Sequence, residues 1–117
     1  MRAWAREMAR RHPGVLRIGY FGSYARGDWG VGSDLDIVAV VEHTDRPFHH
    51  RTRDWDTESL PVPVDLLVYT AEEWARLTAP GGGMEGPARE MVWVYPPGRR
   101  KRTGTSTSAA RSIAAEA

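Results

Sequence analysis

No cysteine occurs anywhere in the 117 residues. A disulfide framework is thereby excluded, as is thiolate chemistry. Lysine is almost as scarce: fifteen of the sixteen basic residues are arginine, and the single lysine is Lys101. The pattern Gly-x4-Gly-Lys-Ser/Thr is missing and no Gly-x-Gly-x-x-Gly follows a strand-like run. Neither a P-loop nor a dinucleotide fingerprint therefore organises the chain. Apolar runs are short, none approaching about 18 residues, and no signal-peptide pattern is present, so the expectation is a cytoplasmic protein without a membrane partner. A dominant charge is lacking too: the formal net charge is +1, which gives no global basic signal for nucleic acid. The charge is unevenly spread. Residues 96–117 hold Arg99, Arg100, Lys101, Arg102 and Arg111 against Glu116, a local +4, whereas residues 1–95 hold eleven basic and fourteen acidic side chains, a local −3.

At this length the chain is at most one small domain. With 41% apolar residues and a mean hydropathy of −0.49, it can bury one modest core. Residues 2–11 read as a short helix, with Trp4 and Met8 on an apolar face beside Ala5 and Ala9, and with Arg2, Arg6 and Arg10 on another. Pro13-Gly14 ends it. Val15–Phe21 reads as a first strand, residues 23–28 as a short helix, and Asp34–Val41 as a second strand, apolar on both faces beyond Asp36 and hence central. The polar excursion 42–61 admits a short helix at 48–58, with Trp55 packed onto the sheet. The adjacent pair His49-His50 is poorly placed to chelate one ion from a loop. Pro63–Tyr69 reads as a third strand. Thr70 then caps a helix reaching Leu77, with Glu73 completing a capping box. Residues 84–91 suit a helix and Val92–Tyr95 a fourth strand. Residues 98–117, rich in Ser, Thr, Ala and Arg, read as a disordered basic tail following a domain over residues 1–97.

Chemistry concentrates around two short motifs. The first strand-like run ends in Gly22-Ser23; the pair Asp34 and Asp36 opens the second; Asp65 stands near the start of the third. Gly22 permits close backbone approach to a ligand. Ser23 brings a hydroxyl to a helix start, where free N–H groups attract phosphate. By itself Gly-Ser is a cap and Asp-x-Asp a solvated strand end. Together they form a donor set. The strand period places Asp34 and Asp36 on one face, about 7 Å apart, where two like charges repel. A divalent cation would relieve that repulsion. Arg26 offers a planar fork suited to phosphate, or else a structural ion pair with Asp28 or Glu42.

At Gly22-Ser23, the adjoining Ala25-Arg26-Gly27, Ser33-Asp34-x-Asp36 and Asp65, the chain resembles the polymerase-beta-like nucleotidyltransferase superfamily, and within it the minimal nucleotidyltransferases. The likeness covers roughly residues 1–95. It implies an α/β (α+β) fold, with a small mixed sheet of about four strands flanked by helices. It also implies a site in which Asp34, Asp36 and Asp65 bind two Mg²⁺ ions. Gly22, Ser23 and Arg26 would then contact nucleotide phosphates, and Ser23 and the three aspartates would be the catalytic set. The implied substrate is ATP. The implied reaction is AMP transfer to a tyrosine of a small helical HEPN-type toxin, with this chain as antitoxin in a homo- or hetero-oligomer. About 95 residues leave little room for an acceptor domain, so a partner is expected to supply the acceptor. Other short relatives modify tRNA ends or small molecules, and a non-catalytic toxin-neutralising module is the rival outside enzymes. A nucleotide-sugar glycosyltransferase explains Asp34 and Asp36 but leaves Gly22-Ser23 and Asp65 without a role. A calcium loop beginning at Asp34 fails, because Val38 and Ala39 occupy the positions of an oxygen ligand and a glycine.

Overall fold

A computed structural model describes residues 1–30 and 32–97; the tail anticipated at 98–117 lies outside the described residues. In chain order the elements are α1 (Arg2–Arg11), β1 (Val15–Phe21), α2 (Ser23–Arg26), β2 (Leu35–Val41), a 3-10 turn (Phe48–His50), β3 (Val64–Thr70), α3 (Ala71–Thr78), α4 (Glu85–Glu90) and β4 (Val92–Tyr95). The four strands form one mixed sheet in the order β3-β2-β1-β4. β2 runs parallel to β3, and β1 runs antiparallel to both β2 and β4.

β2 is central because its sequence demands cover on both faces. Every residue from Leu35 to Val41 is buried except Asp36, which is partly exposed. Leu35, Ile37, Ala39 and Val41 face one layer, where Ile18, Leu66, Val68 and Val94 join Trp4, Ala5 and Met8 of α1. Val38 and Val40 face the other, under Trp74 of α3 and Met84. Ile37 and Val38 are wholly buried, and each such side chain contributes about 1.5–3 kcal/mol of transfer free energy. Trp55 enters the first layer from the excursion, stacking on His12 with ring centroids 4.4 Å apart.

α3 begins as its sequence dictates. Thr70 Oγ1 accepts from the Glu73 N–H at 3.1 Å, and the Glu73 carboxylate accepts from the Thr70 N–H at 2.9 Å. Arg51 locks the excursion to this cap. Its Nη1 and Nη2 donate to Glu73 at 2.7 and 3.1 Å, and it also donates to the carbonyls of Val68 and Arg46, both at 3.0 Å.

The structure departs from the sequence-based reading at α2, which ends at Arg26 rather than at residue 28, and at β2, the third strand and the excursion. β2 starts at Leu35, leaving Asp34 just outside the strand. The third strand is displaced one residue onward, to Val64–Thr70. The excursion forms no helix over 48–58. The 3-10 turn closes with Arg51 N–H donating to Phe48 O, and the chain continues through further bonds between residues three apart, from Arg53 N–H to His50 O and from Trp55 N–H to Thr52 O. The polar segment has no apolar stripe on which a longer helix could pack, and short 3-10 turns are what remain.

Candidate active site

The site assembles at the end of the sheet where β1 finishes and β2 and β3 begin. β1 delivers Gly22 there in a conformation that favours glycine, φ 80° and ψ −151°. The reason lies across the strand pair. A Cβ at residue 22 would sit 2.5 Å from Asp36 Oδ2. The bare backbone of Gly22 therefore forms one wall around the Asp36 carboxylate. Gly22 also takes the cap position of α2 and makes no side-chain cap bond. Ser23 is consequently the first helical residue and is not spent as the cap.

Parallel pairing of β2 with β3 sets Asp36 directly opposite Asp65, with Phe21 opposite Asp36 on the other side. Neighbouring strands lie about 4.8 Å apart, and residues in register point to the same side of the sheet, so the two carboxylates share a face. Asp34 precedes the strand and is exposed, as is Asp65; Asp36 is half-buried. Burial raises the Asp36 carboxyl above its ordinary value, and the neighbouring charges of Asp65 and Asp34 push it further, against a smaller opposing pull from Arg26. Desolvation and like charge disfavour the ionised form together. Among the described residues no three His, Asp or Glu side chains are grouped tightly enough to hold an ion as they stand. The structure thus pairs Asp36 with Asp65 by register and places Asp34 in their field.

The donor set fits a hard divalent cation. It offers carboxylate oxygens beside a backbone wall, with negative charge that Arg26 offsets only in part among the described residues. Mg²⁺ selects such ligands, completing its shell with water and phosphate oxygens.

Arg26 is engaged in carboxylates. Its Nε donates to Asp28 at 3.1 Å and its Nη1 to Glu90 of α4 at 3.2 Å. Asp28 was one of the two ion-pair partners foreseen; Glu90 takes the place of the other. Glu42 lies six residues beyond Asp36 along β2, about 20 Å away at the rise of a strand, at the far pole of the sheet. Sequence reading also missed the ring pair Tyr24 and Trp29, stacked with centroids 5.3 Å apart and planes within 6°. The available signal was position: Tyr24 follows Ser23 directly, and Trp29 lies five residues before Asp34. His49 and His50 lie edge to face at 4.2 Å, on the excursion at the opposite end of β2.

No curated protein sequence matches the chain. Among solved structures, the fold matches a protein from Sulfolobus solfataricus described as a candidate nucleotidyltransferase, at a TM-score of 0.56 and 24% identity, over 79% of this chain and 73% of that one. The family model for the nucleotidyltransferase domain matches residues 1–82, spanning β1, α2, β2, β3 and all the residues of the site. The chain belongs to the nucleotidyltransferase domain family.

Proposed function

We propose that this nucleotidyltransferase transfers AMP from ATP, in a Mg²⁺-dependent reaction, to a hydroxyl of a partner macromolecule, a tyrosine of a small helical HEPN-type toxin. The single observation that carries the catalytic half is the pairing of Asp36 with Asp65 in register, with Gly22 backed against the Asp36 carboxylate. In this reading Asp34, Asp36 and Asp65 hold the metal, and Gly22 and Ser23 lie along the phosphates. Arg26 would reach the phosphates by exchanging its bonds to Asp28 or Glu90 for phosphate oxygens. Such exchange is inexpensive, since exposed ion pairs are worth about 0–1 kcal/mol.

Bound divalent ions supply Lewis-acid stabilisation of charge on the phosphoryl and leaving oxygens, together with alignment of the two ends of the displacement. The chain's own residues would do the rest. Gly22 keeps the pocket wall free of a side chain. Ser23, not spent as a cap, can donate to a phosphate oxygen. The paired strands fix the carboxylates on one face before substrate arrives, the preorganisation on which such transfer depends. In the reaction a bond forms between the acceptor oxygen and the α-phosphorus. The bond from that phosphorus to the β-bridging oxygen breaks, pyrophosphate leaves, and the hydroxyl proton is released.

The toxin half rests on likeness. Ala25-Arg26-Gly27 and Ser33 flank the two motifs as they do in the short antitoxin-type enzymes. The test is intact-mass spectrometry of the protein incubated with ATP, Mg²⁺ and the helical protein encoded beside it. The expected result is addition of one adenylyl group to the partner, lost by orders of magnitude in rate in Asp34→Ala and Asp65→Ala. No adduct, with both variants neutralising the partner as well as the parent protein, would establish a passive module instead. An adduct on tRNA would keep the transferase and remove the antitoxin.

A further inference from the structure

The sheet has two edges, β4 and β3. β4 is four residues long and leads directly into Pro96-Pro97, and two strands separate it from Asp65. Short strands and prolines are the usual means of closing an edge. β3 is longer, Val64–Thr70, and carries Asp65 of the candidate site.

Alternate residues of a strand direct their N–H and C=O groups to opposite sides. The Pro63 C=O accepts from the Leu35 N–H of β2 at 2.8 Å, so the odd-numbered residues of β3 face β2. Val64, Leu66, Val68 and Thr70 therefore face outward. The half of this edge remote from the site is closed. Arg51 donates to the Val68 C=O at 3.0 Å, and the Glu73 carboxylate accepts from the Thr70 N–H at 2.9 Å. The half beside Asp65 is open: among the described residues the outward N–H and C=O groups of Val64 and Leu66 make no hydrogen bond. The cover stops where the carboxylates begin.

A strand laid against β3 would lie about 4.8 Å away. Its residue in register with Asp65 would point to the same face, extending the row formed by Asp36 and Asp65. The residues on either side of it would point to the other face, toward the layer that holds Leu66 and Val68, and would best be apolar.

We infer that the open half of the β3 edge, residues 64–67, docks an extended segment of a polypeptide acceptor by strand addition, with the hydroxyl-bearing residue in register with Asp65; this deepens the transfer reading above and rests on it. Main-chain bonds to Val64 and Leu66 supply the attachment, and alternate side chains supply the selectivity. The opposing account makes Asp65 a charged guard that keeps the edge from pairing.

Amide exchange and steady-state kinetics on the full chain separate the two, with the helical protein encoded beside it as acceptor. The dock predicts that the Val64 and Leu66 amides exchange fast in the free protein. With a non-hydrolysable Mg–ATP analogue and the acceptor present, they should slow about tenfold when about 90% of the chain is in complex. Val64→Pro deletes one outward donor and suits the first residue of an edge strand. Val64→Ala trims the same side chain and keeps the N–H, so the difference between the two variants reports the amide. The KM for the acceptor should be about fivefold higher in Val64→Pro than in Val64→Ala, the loss of one hydrogen bond, with equal affinity for the analogue in both. Equal KM values, or a loss of analogue affinity that matches the rise, would make Val64 a support of the site and overturn the dock. Amides left unprotected in the complex overturn it as well, whether or not the proline variant folds. Concentration-dependent protection in the free protein would give the edge to a second copy of the chain, and transfer to tRNA would remove the polypeptide acceptor; either result overturns the dock. If the parent protein transfers nothing to either acceptor, the nucleotidyl-transfer reading itself falls, and the dock with it.

Discussion

Replacing Glu73 by glutamine tests whether the fold depends on the charge that joins the excursion to α3. The Glu73 carboxylate accepts from both terminal nitrogens of Arg51 and from the Thr70 N–H. The Arg51 guanidinium first, and then the Thr70 N–H, hold its carboxyl at about 2, against an ordinary 4.5. At 1.36 kcal/mol per pH unit, that depression corresponds to about 3 kcal/mol of folding free energy. The Glu73 side chain is 29% exposed, and solvent screening reduces the figure to about 2 kcal/mol. A carboxyl depressed on folding stabilises the native state above the unfolded value and ceases to do so as pH falls through the folded one. The contribution is therefore complete above pH 4.5 and gone near pH 2. Glutamine keeps an acceptor for Thr70 and loses the charge. Thermal unfolding of the parent protein and of Glu73→Gln across pH 2–7 should thus show a gap on the order of 10 °C at neutral pH, given about 4–8 °C per kcal/mol in a domain this small. The gap should close at the acid end. The difference between the two proteins cancels the titration of every other carboxylate. Adding Arg51→Met completes a cycle in which the double variant costs less than the two single ones together. A gap that stays constant with pH would refute the linkage, since it would mean that packing rather than charge had been lost.

The candidate site makes its own demands. Gly22→Ala places a Cβ against Asp36 Oδ2 and a side chain at φ 80°. Strain of this kind costs about 1–3 kcal/mol, so the melting temperature should fall and the Mg–ATP-dependent rise in melting temperature should vanish; a variant that keeps both would leave Gly22 without its role as the pocket wall. Asp36→Asn should likewise abolish the Mg–ATP-dependent rise, which arises by mass action on the folded state. Without ligand, however, it should be as stable as the parent protein or more so at neutral pH. Asp36 has a folded-state carboxyl raised by burial, Asp65 and Asp34, so its ionisation destabilises the native state as pH climbs, and the advantage of asparagine should shrink under acid. A ligand-induced shift undiminished in Asp36→Asn would remove the metal assignment.

Much of the fold could be read along the chain because its determinants are local. The capping box at Thr70 and Glu73 involves residues three apart, and it forms as read. The unbroken apolar run from Ile37 to Val41 required cover on both faces, and β2 is central with a core layer on each side. The short helix carrying Trp4, Ala5 and Met8 follows from side-chain spacing alone. Failures came where a segment had no period of its own. The excursion 42–61 offered no apolar stripe, and its course is set by Arg51 reaching Glu73 and by Trp55 entering the core, partners 22 residues away in one case and in α1 and the α1–β1 turn in the other.

The candidate site divides in the same way. Residue types and intervals in the sequence determined which groups belong together: Gly22 with Ser23, then Asp34 and Asp36, then Asp65. Only the tertiary structure decided how they meet. Parallel register brings Asp65 opposite Asp36, the approach of β1 to β2 turns Gly22 from a flexible residue into the wall beside a carboxylate, and the return of α4 gives Arg26 to Glu90. Hydrophobic period and capping are written in neighbouring residues, whereas strand register and ion-pair choice depend on side chains far apart in sequence, which no local pattern records.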